Sequence, residues 1–232
     1  SYPHCWRCES PLIYKAVSTW FVKIDPIKDD MINANKQITW VPDHIKDGRF
    51  GKWLEGARDW AVSRNRFWGT PLPVWKCRDC GETICIGSIS ELEKLSSTKV
   101  KDLHKHFVDK IVLKCPECGG SMERVPEVLD CWFESGSMPY ASQHYPFENK
   151  DKFEANFPAD FIAEGIDQTR GWFQSSLLTS VAMTGMSPYK NLMVHGVVLD
   201  GNGKKMAKSM GNVVDPKEAL KLKKLIKREF II

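Results

Sequence analysis

No run of this 232-residue sequence approaches the roughly 20 consecutive apolar residues that a helix needs to cross a bilayer. The opening residues, Ser1-Tyr2-Pro3-His4-Cys5, have neither a basic stretch nor an apolar core, so they do not read as a secretory signal. Nor do they include an initiating methionine, and the chain is expected to begin inside a longer protein. Charge of one sign is scarce: 33 basic and 29 acidic residues leave +4, which is no nucleic-acid footprint by itself. Low-complexity segments are absent, and the only repeated feature is a Cys-x-x-Cys pair. What is present is 42% hydrophobic and 27% charged, an ordinary globular balance in a length that allows one large domain or two modest ones. Nine tryptophans are unusual bulk, suited to cores and to pockets for apolar or planar ligands.

The eight cysteines do not read as a disulfide framework. Six fall in three Cys-x-x-Cys pairs, Cys5/Cys8, Cys77/Cys80 and Cys115/Cys118. Without a secretion signal that spacing points to zinc in a reducing compartment, the cytoplasm. Gly81 and Gly119 follow the second and third pairs and allow the tight turn that aims two sulfurs at one ion. Cys77, Cys80, Cys115 and Cys118 are therefore expected to close a four-thiolate site that is structural, with no open position. Cys5 and Cys8 read as half of another site. Cys85 and Cys131 lack this context and read as core residues.

Apolar density suggests a strand over 18–24. Phe50, Trp53, Leu54, Ala57, Trp60 and Ala61 recur at helical spacing and predict a helix over about 50–62. Residues 77–125 form a cysteine-bounded insert whose middle, 89–110, is polar and reads as a solvated helix or loop. Asp160–Ala163 predicts a short buried strand, about 168–185 a helix, and Leu192–Leu199 a second buried strand. Strand, helix, strand makes a βαβ unit with a right-handed crossover and a parallel sheet, whose ligands sit at the carboxyl ends of its strands. Asp200–Gly203 is a tight turn. From Asp215 a capped helix is expected, with Leu222, Leu225, Ile226 and Phe230 on its apolar side. Lys217, Lys221, Lys224, Lys227 and Arg228 read as a solvated basic face.

Between the turn and that helix lies Gly203-Lys204-Lys205-Met206-Ala207-Lys208-Ser209-Met210-Gly211-Asn212. Its glycines give freedom, and its lysines offer compact charges for a polyphosphate. The spacing excludes a Walker-type phosphate loop. Lys205–Ser209 resembles the KMSKS signature of class I aminoacyl-tRNA synthetases. Four further blocks stand in order before it: Ser63–Pro71, Asp130–Gly136, Glu164–Phe173 and Met193–Gly196. Together they resemble the isoleucine–tRNA ligases over about residues 2–216.

The resemblance implies an α/β fold, the second half of a class I synthetase Rossmann-like nucleotide-binding fold with an inserted zinc-knuckle subdomain. On that basis 1–49 would be the return from an editing domain and 50–76 a connecting helix and core segment. Residues 77–125 would be the zinc insert, 126–216 the C-terminal half of the catalytic domain, and 217–232 a basic helical tail. The activity implied is formation of isoleucyl-adenylate from L-isoleucine and ATP with Mg2+, then transfer to tRNA(Ile). Lys205 and Lys208 would act catalytically on the phosphates. Glu164, Gly165, Asp167 and Gln168 would line the adenylate site, His195 and Gly196 would lie near the nucleotide, and Trp132 and Trp172 would wall the side-chain pocket.

Two departures from the pattern matter. Ala207 removes the usual hydroxyl from the signature loop, and no His-x-Gly-His occurs, a motif that belongs to the first half of the nucleotide fold. The N-terminal half of the catalytic domain is thus an expected partner, no membrane is expected, and the chain alone is expected to be inactive. Discriminating isoleucine from valine is itself the standard illustration of how little one methylene offers a pocket, so a site without editing would exclude valine poorly. The rival readings are a piece of the valine enzyme and a non-catalytic zinc-bearing RNA-binding module.

Overall fold

A computed structural model describes residues 2–5, 8–215, 217, 218, 220 and 221. The chain starts with a short strand β1 (Phe21–Val22) and a helix α1 (Lys28–Gln37), then β2 (Thr39–Val41). A wide helical turn over Lys46–Gly51 leads into α2 (Lys52–Glu55), followed by β3 (Trp60–Ala61) and β4 (Ser63–Arg64). The helix expected to 62 thus ends at Glu55. Gly56 caps it, and the Asp59 carboxylate accepts from the Ile24 amide at 2.9 Å, which holds the next residues extended for β3 to pair with β1. Phe50, Trp53, Leu54, Ala57 and Trp60 do pack inward, but from the wide turn, from α2 and the residues after it, and from β3.

The insert comes next. Strands β5 (Val74–Cys77) and β6 (Thr83–Cys85) make one hairpin, and helices α3 (Ile89–Ser96) and α4 (Lys105–Val108) cross over to a second hairpin, β7 (Leu113–Lys114) and β8 (Ser121–Arg124). The two hairpins join in an antiparallel sheet of order β6-β5-β8-β7. It carries its own apolar cluster of Trp75, Ile86, Leu92, Leu113 and Met122. The chain leaves through β9 (Val128–Leu129), which pairs with β4.

The remainder builds the parallel sheet. Short helices α5 (Cys131–Gly136), α6 (Met138–Ala141) and α7 (Lys150–Asn156) precede β10 (Ala159–Gly165). A 3-10 turn over Ile166–Arg170 then enters α8 (Trp172–Thr184), and β11 (Tyr189–His195) follows. The sheet order is β10-β11-β2, parallel throughout. The expected βαβ unit is present, with α8 beginning four residues later than its periodicity suggested.

One expectation fails at the sheet. β10 and the distal part of β11 are not buried strands. Ile162, Leu192, Val194 and Trp40 face the core with α1 and α8, while Phe161 (56% exposed), Met193 (44%) and Val41 (51%) share the opposite, uncovered face. β11 ends at His195, and Val197–Leu199 run on exposed. Apolar runs signal burial on both faces of a strand; here one face is covered and β10 is an edge.

Helices α5 and α8 pack backbone to backbone at Gly136. A side chain at Gly136 would place its Cβ 2.7 Å from the Ser175 carbonyl oxygen and 2.9 Å from Thr179 Oγ1. Backbone cannot yield as a flexible side chain can. Gly136→Ala is expected to lower unfolding free energy by about 1–3 kcal/mol, measured by urea denaturation, with the midpoint moving and the slope unchanged.

Candidate functional site

The carboxyl ends of β10 and β11 lie side by side, with Glu164 opposite Val194 and Gly165 opposite His195. Gly165 is buried at the bottom of this corner. A Cβ there would come within 2.7 Å of Asp167 Oδ1 and 3.6 Å of the His195 ring. Glu164, Asp167 and His195 are exposed around it. His195 is therefore no core histidine; its Nδ1 lies 3.0 Å from the Gly196 carbonyl oxygen. Asp167 caps no helix. Gly171 holds the N-cap position of α8, and Gln168 Oε1 accepts from the Trp172 amide at 2.9 Å.

Both tryptophans meet at the α5–α8 contact. The Trp132 ring lies 2.9 Å from where a Gly171 side chain would begin, and the Trp172 indole N–H donates to the Ser135 carbonyl at 3.1 Å. Trp132 is 40% exposed and Trp172 half-buried. Sequence reading singled out the indoles but not the groups that aim them. Asp130 caps α5 through the Trp132 amide at 2.6 Å and pairs with Arg64 from β4, and Glu134 accepts from the Thr70 amide at 3.0 Å. An N-cap aspartate before Cys131-Trp132 was the available signal.

The lysine loop is a separate piece of order. Leu199 bridges Lys205, and the expected turn is closed by the Gly203 amide to the Asp200 carbonyl at 2.9 Å. A short 3-10 turn covers Lys208–Met210, and Gly211 takes the left-handed conformation (φ +66°) that ends it. Lys205 and Lys208 are exposed, as is Gly196. The hydrogen bonds tying the loop together stay within residues 198–212, so they do not join it to Glu164–Gln168. Asp200 and Asn212, which hold the loop, were read only as turn and loop residues. Of the tail, 217–218 and 220–221 are helical, and Asp215 caps them through the Lys217 amide at 2.8 Å. Leu222, Lys224, Leu225, Ile226, Lys227, Arg228 and Phe230 lie outside the described residues.

The sulfurs of Cys77, Cys80, Cys115 and Cys118 all lie within 4.8 Å of one another. Cys77 to Cys118 is 3.5 Å and Cys80 to Cys115 is 3.6 Å. Ligand edges of about 3.8 Å are what a tetrahedron with 2.3 Å metal–sulfur bonds requires. Each pair sits in the same turn: Cys77 donates to Glu82 and receives from Gly81 (φ +80°), and Cys115 donates to Gly120 and receives from Gly119 (φ +75°). Cys77 is lowered to about 7, chiefly by the Cys80 backbone amide. At Cys80 the Glu82 amide pulls down, but the neighbouring sulfurs and burial outweigh it and push it up to about 12. Thiolates at this spacing repel one another, and a dication removes that cost.

Cys5 and Cys8 stand in a third copy of this turn. Cys5 donates to the Ser10 carbonyl and receives from the Glu9 amide, both at 2.8 Å, and Glu9 holds the left-handed position (φ 59°) that glycine holds in the others. A non-glycine residue there costs about 1–2 kcal/mol. Cys85 and Cys131 are exposed, against the expectation of core packing: Cys85 ends the edge strand β6, and Cys131 opens α5 at the surface. No helix among the described residues is long and apolar enough to cross a membrane.

Comparison with known proteins matches residues 9–225 to the family described as tRNA synthetases class I (I, L, M and V). The isoleucine–tRNA ligase of Treponema denticola is 65% identical over 221 residues, 95% of this chain and 20% of that protein. That of Chlamydia abortus is 59% identical over 215 residues, 93% of this chain and 20% of that protein. A solved ternary complex of Agrobacterium radiobacter K84 LeuRS with tRNA and LeuAMS is 24% identical, with TM-score 0.49, covering 75% of this chain and 25% of that one. The chain thus spans about a fifth of the length of the curated relatives it matches. Parallel strand ends, two indoles at one helix contact, a lysine loop and a match over 9–225 have one common account: this chain belongs to the class I tRNA synthetases.

Proposed function

We propose that this chain is the part of an isoleucine–tRNA ligase that supplies one wall of the adenylate site, the phosphate loop and a structural zinc site. The reaction is proposed for a polypeptide of its relatives' length. The observation that carries the reading is the corner at the ends of β10 and β11. There the lack of a side chain at Gly165 lets the Asp167 carboxylate come close to the strand end, with Glu164 and His195 beside it and Trp132 and Trp172 at the neighbouring helix contact. Identity of 56–65% to isoleucine–tRNA ligases supports isoleucine over valine as the amino acid. A free-standing RNA-binding module would have no use for such a corner.

In this reading the carboxylates take the substrate ammonium and ribose hydroxyls, Gln168 borders the adenylate, and His195 and Gly196 border the nucleotide. The indoles hold the branched alkyl group between flat apolar faces. The isoleucine carboxylate forms a bond to the α-phosphorus of ATP, and the bond to pyrophosphate breaks with its electrons on the leaving group. Lys205 and Lys208 would take up that charge, and the Mg2+ that accompanies ATP would supply further positive charge there. The terminal ribose hydroxyl of tRNA(Ile) then takes the acyl group and AMP leaves. The enzyme forms no covalent bond, so the residues act by position and charge. The open sheet face of Phe161, Met193 and Val41 and the free β10 edge support a neighbouring half of the nucleotide fold packed there.

The test uses the intact natural polypeptide carrying this chain. Isoleucine should drive ATP–pyrophosphate exchange, and Lys208→Ala should slow it about 100-fold or more with the melting temperature unchanged. Exchange at the parental rate in the variant would remove Lys208 from the reaction, and exchange driven better by valine would reassign the substrate.

The metal reading concerns the four sulfurs, which match zinc by number, spacing and softness. About one zinc ion per chain is expected by native mass spectrometry from Cys77, Cys80, Cys115 and Cys118, with loss on Cys80→Ser combined with Cys118→Ser. Retention of full zinc by that double variant would show the metal to be held elsewhere. Cys5 and Cys8 are proposed as half of a second thiolate site, on the strength of their matching turn.

A further inference from the structure

We propose that Asp200 and Asn212 are positioning residues that hold the lysine loop in the shape from which Lys205 and Lys208 act, an inference that rests on the ligase reading. Twelve residues separate the two in sequence, yet their side chains touch. One Asp200 carboxylate oxygen accepts from the amides of Asn202 and Lys204, both at 2.9 Å. The other accepts from the Asn212 side-chain amide at 2.8 Å. Asn212 in turn accepts from the Ala207 amide at 2.9 Å and reaches the Lys205 carbonyl at 3.3 Å.

These bonds fall where they fix both ammonium-bearing residues. The Lys204 amide and Lys205 carbonyl are held on one limb, and the Ala207 amide, immediately before Lys208, on the other. Residues 204–206 are joined to 198–200 by the Met206 amide to the Val198 carbonyl at 3.0 Å and the Asp200 amide to the Lys204 carbonyl at 2.8 Å. Gly201, Gly203 and Gly211 would otherwise leave the loop many conformations, and ordering each residue costs about 1–2 kcal/mol. Two half-buried side chains settle the backbone beforehand, so that only the lysine stems remain to be ordered by phosphate.

The charge arrangement agrees. Asp200 lies below the usual carboxylate range because the Asn212 amide and the Lys204 backbone donate to it, so it is ionised at neutral pH. Its lone pairs are directed to N–H groups of the backbone and of Asn212, not to a lysine ammonium. The lysine ion pairs among the described residues involve Lys28, Lys99, Lys105, Lys150 and Lys190, leaving Lys205 and Lys208 uncommitted.

A reciprocal exchange tests this in the intact natural polypeptide. Asp200→Asn sets an amide against the Asn212 amide, and Asn212→Asp sets a carboxylate against the Asp200 carboxylate. Each should lower the kcat of isoleucine-dependent pyrophosphate exchange about 10–100-fold, leaving the KM for isoleucine and the melting temperature unchanged. The double variant restores a donor facing an acceptor, and its kcat should return to within about threefold of the parent. Single variants at the parental rate, or a double variant as slow as the product of the two singles, would overturn the proposal. An unaltered protein without isoleucine-dependent exchange would overturn the ligase reading and this one with it.

Discussion

Two adjacent parallel strands cannot be joined by a tight turn; the chain must leave the sheet and cross back. In this protein α8 makes that crossing between β10 and β11, and the geometry of everything near the site follows from it. Both strands point the same way, so their carboxyl ends, Glu164–Gly165 and Val194–His195, come out side by side. The crossing helix must start where β10 stops, which puts Asp167, Gln168 and Trp172 at the same end. Phe173 and Leu177 anchor α8 by full burial, and the Tyr189 hydroxyl donates to the Phe173 carbonyl at 2.9 Å, tying the helix to the strand it feeds.

The second requirement is that α5 reach α8 closely enough to bring Trp132 to that end. Glycine at 136 and 171 makes the approach possible, since a methyl group at either would collide with backbone or with the Trp132 ring. Both glycines sit inside blocks that the sequence marked as functional, Asp130–Gly136 and Glu164–Phe173, but their reason is steric. The packing role of these blocks is what brings Trp132 and Trp172 to one helix contact.

What was legible in the sequence was local. The two Cys-x-x-Cys-Gly turns, the Asp200–Gly203 turn and the Asp215 cap each depend on residues a few positions apart, and the βαβ order follows from elements taken one after another. What was not legible depends on partners far along the chain. The 50–62 helix fails at Gly56 because β1, about forty residues earlier, claims Trp60 and Ala61 as a strand. Phe161 and Met193 look like core residues because apolar periodicity records which residues seek cover, not whether another layer is there. The glycine after a knuckle was read as its mark, yet Glu9 holds the same backbone conformation after Cys8. Asp200 and Asn212 were missed for the same reason: neither residue shows by itself that it will meet the other.

The neck of the segment that carries the four cysteines is closed by direct backbone bonds. The chain enters at Thr70–Val74 and leaves at Arg124–Leu129, and these limbs bond directly: Leu129 to Thr70 at 2.7 Å, Leu72 to Glu127 at 3.2 Å and Val125 to Val74 at 2.9 Å. The buried Arg124 guanidinium closes the same neck, donating to the carbonyls of Leu72 and Glu127 and to Asp109 of the insert. One residue beyond Leu129 stands Asp130, which caps α5 and pairs with Arg64. The neck therefore fixes Trp132 through bonds that involve no sulfur. The four sulfurs meet at the hairpin turns, whereas the hydrogen bonds that close the neck lie at 70–74 and 124–129.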